Sequence, residues 1–325
     1  MPAKSRLHVR DLRSLIGMAS GLLSGLFDRF AAVVATSASG TLGPYVLQAL
    51  VEAKFRVRIL TRSNKSGNYD AGVDVVEVDF TSVDSLAAAL EGIDAVVSTV
   101  TMAAIPTQTV LIDAAAAAGV QRFIPSEYGS VTTNPKLEAF PGYESFFKIK
   151  HHLQAKTHTG KLTWTVLACG GFLEYLFAEA IVLDFAGRKA TLLDEGDNRL
   201  SATSLATIGK AIAGLLKNPE ATKNRVVKVS ETIVTQNQLL RLAEALRPED
   251  KWEISKVAAS TLLKEGLDGI SAGDFSLPAM FKIIKSTGLA GDTYGAAYDE
   301  NDNELLGVEE LAEEDIKKMV AEALV

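Results

Sequence analysis

A serine- and glycine-rich stretch, Ser37-Ala38-Ser39-Gly40-Thr41-Leu42-Gly43, has the residue types and spacing of a phosphate-holding loop. In a G-x-x-G-x-x-G turn the first glycine makes the tight bend and the second lets the backbone approach a pyrophosphate. The third lets the following helix pack close to its strand. Here Gly40 and Gly43 hold the second and third places, and Ser37 stands at the first. If that first position needs a positive φ, serine there carries a strain of roughly 1–2 kcal/mol. Two glycines three apart also fit a strand–turn–helix that binds nothing, so the flanking elements must decide between the two.

A second chemical signal lies about twenty residues on. The next apolar run ends Leu60-Thr61-Arg62-Ser63, with Lys65 close behind, and no acid occurs between Phe55 and Asn68. A carboxylate at this place would bond a ribose 2′-hydroxyl, and a guanidinium pairs with a 2′-phosphate instead. Arg62 and Lys65 therefore point to NADP(H) over NAD(H). An exposed strand-end arginine is the bland alternative. Asp79, after a third run, suits either an adenine amino group or the cap of its own turn.

The elements needed to position these residues are legible. Ala31–Thr36 is a short apolar, β-prone run, and a helical pattern follows from Pro44 to Ala53. Phe55–Leu60 and Val73–Val78 read as strands two and three. Ser82 suits an N-cap for a helix through Leu90, with Gly92 as its stop. Ala95–Val100 is strand four, Thr107–Ala118 an alanine-rich helix stopped at Gly119, and Arg122–Pro125 strand five. A helix over Phe146–Thr159 leads to strand six, Thr163–Ala168. Short strands alternating with longer helices make βαβ units and a parallel sheet. The fold class is thus α/β, a Rossmann-type doubly wound sheet with a smaller C-terminal α/β substrate domain.

Beyond residue 170 the rhythm changes. Val182–Leu193 has room for short strands, Ile208–Leu216 reads as a helix and Val226–Val229 as a strand. Thr235 begins a helix through Leu246, with Gln238 at capping-box spacing, and Glu309–Leu324 is an acidic amphipathic tail. Residues 31–160 are expected to form the cofactor domain. Residues 161–325 form mainly the substrate domain, with some strands returning to the first sheet. Residues 1–30, basic and then apolar, form an extension, a presequence or a misassigned start. Their apolar stretch from Leu15 to Phe27 is too short to span a bilayer, which takes ~18–20 residues.

Composition narrows the partners. The 325 residues carry a net charge of −7, 47% are hydrophobic and 22% charged, which suits a globular chain and speaks against nucleic acid. The single cysteine, Cys169, excludes an intrachain disulfide and a cysteine-based zinc site. No metal is expected, no membrane insertion, and a cytoplasmic location by default. A homodimer stays open.

With these pieces in place, the chain resembles the NmrA-like and isoflavone reductase-like family of atypical short-chain dehydrogenases. The most specific stretch is Gln121-Arg122-Phe123-Ile124-Pro125-Ser126-Glu127-Tyr128-Gly129, which matches the family's RFxPSE(F/Y)G. Supporting matches are Thr41-Leu42-Gly43-Pro44, Ile59-Leu60-Thr61-Arg62-Ser63, Asp79-Phe80, and Gln108 with Ile112-Asp113-Ala114-Ala115. Asn303-Glu304-Leu305-Leu306-Gly307 also fits. The resemblance implies a cofactor site of Ser37, Ser39, Gly40, Thr41, Leu42, Gly43, Arg62, Lys65, Asp79, Thr99, Val100 and Ser126. It implies a substrate pocket at Glu127, Tyr128, Gly170, Gly171 and Phe172, with Tyr175 and Phe177 in the same aromatic cluster.

The family's reductases use a lysine in an F-x-x-K context, and Phe147-Lys148-Ile149-Lys150 puts Lys150 there as general acid/base. The Y-x-x-x-K pair of ordinary short-chain dehydrogenases is absent, since Phe147 follows Tyr143 by four. The implied activity is NADPH-dependent reduction of a small, aromatic or phenylpropanoid-like molecule. The family also contains non-enzymatic NADP(H) sensors that bind a partner protein. A member that has lost its cofactor through Ser37 is a third reading.

Overall fold

The computed structural model describes residues 30, 32–36, 40–63, 73–178 and 181–325. The expectations for Ser37, Ser39, Lys65 and residues 1–29 lie outside the described residues.

Seven strands form the main sheet: β1 (Ala32–Thr36), β2 (Arg56–Thr61), β3 (Asp74–Glu77), β4 (Ala95–Ser98), β5 (Arg122–Ile124), β6 (Thr163–Ala168) and β10 (Arg225–Lys228). Their order is β10-β6-β5-β4-β1-β2-β3, and every neighbouring pair is parallel. The order reverses at β1, which lies between β2 and β4. That is the switch point where a doubly wound sheet opens a crevice at its carboxyl edge.

Burial on both faces explains why β1 and β4 read as nearly continuous apolar runs. Val34, Leu60, Val96, Phe123 and Val166 face one core. Against them pack α2 (Val83–Ala89), α3 (Gln108–Ala117) and α4 (Glu144–Thr159). Val33, Ala35, Val57, Val97 and Leu167 face the other, under α1 (Gly43–Glu52) and α6 (Leu205–Lys217). One strand thus feeds both cores at period two. The helices α1 and α6 approach so closely that a Cβ on Gly209 would lie 2.5 Å from the Tyr45 carbonyl oxygen.

The expected caps are present. Ser82 accepts from the Ser85 amide at the start of α2, and Gly92 and Gly119 adopt φ of +70° and +78° after α2 and α3. Thr235 accepts from the Gln238 amide at the start of α7 (Gln236–Leu246).

The remaining elements form two smaller sheets and a set of helices, of which Leu306 near the chain's end packs back into the core under α6. β7 (Gly171–Phe172), β9 (Leu200–Thr203) and β11 (Thr232–Val234) make a three-stranded sheet. β8 (Lys189–Leu193) pairs in parallel with β12 (Glu253–Val257), so Val182–Leu193 holds one named strand. A short helix, α5 (Leu173–Ala178), follows β7. A helical hairpin, α8 (Ala259–Ser271) and α9 (Leu277–Gly288), precedes α10 (Asn303–Leu306) and the tail helix α11 (Glu313–Ala323). Among the described residues no helix is long and apolar enough to cross a membrane, and no cluster of His, Cys, Asp and Glu could hold a metal.

Candidate active site

Strands β1 and β4 end side by side, with Thr36 opposite Ser98. The two strand ends are locked by side chains. Thr36 Oγ1 accepts from the Thr99 amide at 3.3 Å, and the Thr99 hydroxyl donates to the Thr36 carbonyl. Beyond this lock opens a cleft of about 440 Å³. Its walls come from three places. The loop between β1 and α1 supplies Gly40, Thr41 and Leu42. The β4 and β5 ends supply Thr99, Val100, Ser126 and Tyr128. Phe172, Tyr175 and Ile284 close the far side.

The loop side has the properties of an anion seat. Helix α1 starts at Gly43, its N-cap Leu42 offers no side-chain cap, and its first turn carries no acid. The positive end of the helix dipole and its amides are thus left for a ligand. Arg62 stands exposed directly after β2, the neighbour of β1 in the sheet. Asp79 is engaged locally. Its Oδ1 accepts from the Thr81 amide at 2.8 Å and the Thr81 hydroxyl at 2.7 Å, and those bonds pull its carboxyl below the usual range. Of the two roles open to Asp79, the turn cap is the one in place.

The middle of the cleft is shaped by the Ser126–Gly129 stretch. The Ser126 amide donates to Gln108 Oε1 at 2.8 Å and its hydroxyl to the Val100 carbonyl at 2.8 Å. Tyr128 donates to the Ser98 carbonyl at 2.9 Å, and burial pushes its phenol far up. It therefore acts as wall and strut. Gly129 has no room for a side chain, because a Cβ would lie 2.5 Å from Thr132 Cγ2.

Glu127 does not line the cleft. It is buried at 2% exposure, its Oε2 has no hydrogen-bond partner, and burial raises its carboxyl from 4.5 to about 8 against the opposing effects of Thr132 and Lys150. Thr132 is close enough to favour the charged form, yet its Oγ1 is also without a hydrogen bond. Both atoms keep unused hydrogen-bonding capacity.

Lys150 lies on the face of α4 that also bears Phe146, one turn earlier, and Phe146 lines the cleft. Lys150 itself is half-buried and outside the cleft lining, with Nζ 5.2 Å from the centroid of the Phe147 ring. Its charge is felt by the Glu127 carboxyl. Tyr143, at the start of the same helix, does line the cleft, and its hydroxyl is 2.6 Å from Thr287 Oγ1 of α9.

Gly170 and Gly171 are placed elsewhere. Gly170 adopts φ +72° and presses on the Ser201 carbonyl, 2.1 Å from where a Cβ would stand, so it joins β6 to the second sheet. Gly171 opens β7. The aromatic cluster divides. Phe172 and Tyr175 lie 5.7 Å apart in the cleft wall, while Phe177 turns to Phe185. Tyr175 also donates to Thr41 Oγ1 at 3.1 Å, tying the start of α5 to the loop before α1.

Residues 31–291 match the NmrA-like family. The chain belongs to that family. Among NmrA-like relatives, oxidoreductase aprR of Aspergillus flavus is 33% identical over 282 residues, 85% of this chain and 94% of the relative. The fold is that of an isoflavone reductase crystal structure, with TM-score 0.72 at 19% identity over 90% of this chain and 99% of the other. A Citrobacter triphenylmethane reductase, solved with NADP(H), superposes with TM-score 0.67 at 17% identity over 90% of this chain and 100% of the other. Within this NmrA-like chain several cleft residues carry no sequence signal. Met102 and Ile105 belong to a 3₁₀ turn after β4, and Ile284 and Gly288 arrive on α9 from far along the chain.

Proposed function

We propose that the chain is an NADP(H)-dependent reductase of a small, neutral, apolar or aromatic molecule. The observation that carries this is the cleft at the β1/β4 switch point, with a loop and uncapped helix start on one side and an uncharged aromatic wall on the other. Among the described residues no charged side chain lines it. Met102, Tyr175 and Ile284 leave apolar surface exposed at its rim, where a hydrophobic ligand gains by leaving water.

The residues present fit the dinucleotide. Gly40, Thr41, Leu42 and the start of α1 at Gly43 would hold its phosphates, with Ser37 and Ser39 completing the loop. Arg62, with Lys65, would hold the 2′-phosphate, and Thr99, Val100 and Ser126 would flank the nicotinamide end. When bound, the nicotinamide supplies the hydride. The likeness to a reductase solved with NADP(H) supports the assignment.

Tyr128 and Phe172 would orient the substrate ring. Lys150 would act as general acid, its ammonium delivering a proton to the oxygen or conjugated system on which negative charge builds. In this reading residues 31–160 hold the cofactor, and residues 161–325 supply the outer wall through Phe172, Tyr175 and Ile284.

One observation favours the sensor alternative, namely that Lys150 stands outside the cleft lining. The two readings separate in one experiment. NADPH and NADH are titrated by cofactor fluorescence, and NADPH consumption is then followed with 1,4-naphthoquinone, a flavonoid and a benzylic ether as probes. The reductase reading expects tighter NADPH binding and turnover that Lys150→Ala abolishes while binding is kept. Binding with no turnover of any probe supports the sensor. Binding of neither cofactor refutes both.

A further inference from the structure

A buried carboxyl with an unused oxygen demands an explanation, because such groups are normally bonded. Glu127 is held in place by its own chain, with its amide donating to the Pro125 carbonyl at 2.8 Å. It is 2% exposed, and its Oε2 reaches no partner. The neighbouring Thr132 Oγ1 is likewise buried and unbonded, and Thr132 lines the cleft. The close packing of Gly129 on the Thr132 methyl fixes that side chain where it stands. Lys150 acts on Glu127 from α4. Two buried oxygens without partners, one of them on a residue of the cleft wall, thus lie within the field of the Lys150 charge.

The surroundings favour a neutral carboxylic acid. Burial disfavours the carboxylate, and Thr132 and Lys150 only partly offset it, leaving the group near 8. The other titratable group facing Glu127 is Tyr298, whose phenol burial keeps protonated, with Cys169 beyond it similarly held as a thiol.

We propose that Glu127 is the proton store of the site, a carboxylic acid that recharges Lys150 after each turnover by way of the Thr132 hydroxyl. The inference rests on the reductase reading and extends it. The Lys150 ammonium gives its proton to the reduced substrate and becomes a neutral amine. The Glu127 acid then releases its proton through the Thr132 hydroxyl, which accepts one proton as it passes another on. The products are a Lys150 ammonium and a Glu127 carboxylate, which solvent reprotonates when the cleft empties. No electron moves in this step. Glu127 acts through Lys150 and does not touch the substrate.

Infrared difference titration of the full chain tests the store without any substrate. The protonated carboxyl stretch that Glu127→Gln removes is expected to persist at pH 7 and to titrate near pH 8. Lys150→Met, which removes the favouring charge, should move that titration to higher pH. A band lost by pH 6, or one indifferent to Lys150→Met, overturns the proposal.

In turnover of NADPH with 1,4-naphthoquinone, Glu127→Gln should lower kcat at least tenfold with KM unchanged, and the first-turnover loss of NADPH should keep its rate. An unchanged kcat, or a first turnover slowed as much as the steady state, also overturns it. If NADPH does not bind, the reductase reading falls by itself, and the infrared titration still decides whether Glu127 stores a proton beside Lys150.

Discussion

Replacing Glu127 by glutamine should make the protein more stable at neutral pH than the native chain, by an amount that depends on pH. In the unfolded chain the carboxyl titrates at its ordinary 4.5, and in the folded chain at about 8. The folded state therefore binds the proton more tightly. Its contribution is most favourable below pH 4.5 and is lost as pH rises towards 8. At pH 7 the unfolded carboxylate has gained about 1.4 kcal/mol for each unit above its own midpoint, a gain the folded acid forgoes. Over two and a half units that amounts to about 3 kcal/mol.

Glutamine keeps the shape and cannot titrate, so this penalty disappears while every other titrating group stays common to both proteins. Urea unfolding at pH 5, 6, 7 and 8 at constant ionic strength reads the difference directly. The stability of Glu127→Gln relative to the native chain should climb by about 2–3 kcal/mol from pH 5 to pH 7. Parallel curves, differing by a constant within about 0.5 kcal/mol, or a tilt in the opposite direction would refute the reasoning. The carboxyl would then be ionised in the fold, and the burial on which the proton store depends would not exist.

Other perturbations test other parts of the site. Arg62→Ala should weaken NADPH binding by roughly 10- to 100-fold, the worth of a charge-assisted contact, and leave NADH binding unchanged in the same fluorescence titration. Gly129→Ala forces a Cβ to within 2.5 Å of Thr132 Cγ2 and should cost about 1–3 kcal/mol in urea unfolding. Tyr143→Phe deletes the 2.6 Å contact to Thr287, and should cost about 1 kcal/mol and speed amide exchange in α9. Asp113 on α3 is bridged to Lys156 at 2.6 Å and His152 at 2.8 Å of α4, which outweigh its burial and lower its carboxyl. Its stabilisation is present above the ordinary carboxylate value and is lost as pH falls through the lowered one. Asp113→Asn should accordingly flatten acid unfolding without affecting stability trends above pH 7.

The main sheet was legible because its central strands β1, β4 and β5 are covered on both faces. Alternating short apolar runs and helices with glycine stops leave few other arrangements, and β1 to β6 and the caps at Ser82, Gly92 and Gly119 lie within a few residues of expectation. The remaining elements were not legible in the same way. β12 is Glu-Ile-Ser-Lys-Val with four of its five side chains exposed, and it exists only because β8 lies beside it. No local pattern encodes such a pairing. The hairpin of α8 and α9 is amphipathic, but nothing in its sequence says that Ile284 faces a cleft whose floor was laid down by residues 40–42.

The same division runs through the site. Gly40, Leu42, Val100 and Ser126, expected at the site for where their backbone lies, are brought together in the cleft lining. Side chains whose role depends on depth are not so readily placed. Glu127 and Tyr128 are adjacent in sequence and at the same strand end, yet Tyr128 reaches the cleft while Glu127 points beneath it. Sequence cannot separate them, because the turn after β5 decides which of the two faces the cleft. That turn is set by the Gln108–Ser126 bond and by the lack of space at Gly129, both contacts with distant or crowded partners. The buried acid is therefore a consequence of how RFIPSEYG is folded against α3 and α4. A chain that kept the motif but lost the Gln108 anchor should present Glu127 to solvent, with its carboxyl back near 4.5. Gln108→Ala measured by the same infrared titration distinguishes a motif that acts by its letters from one that acts by its depth.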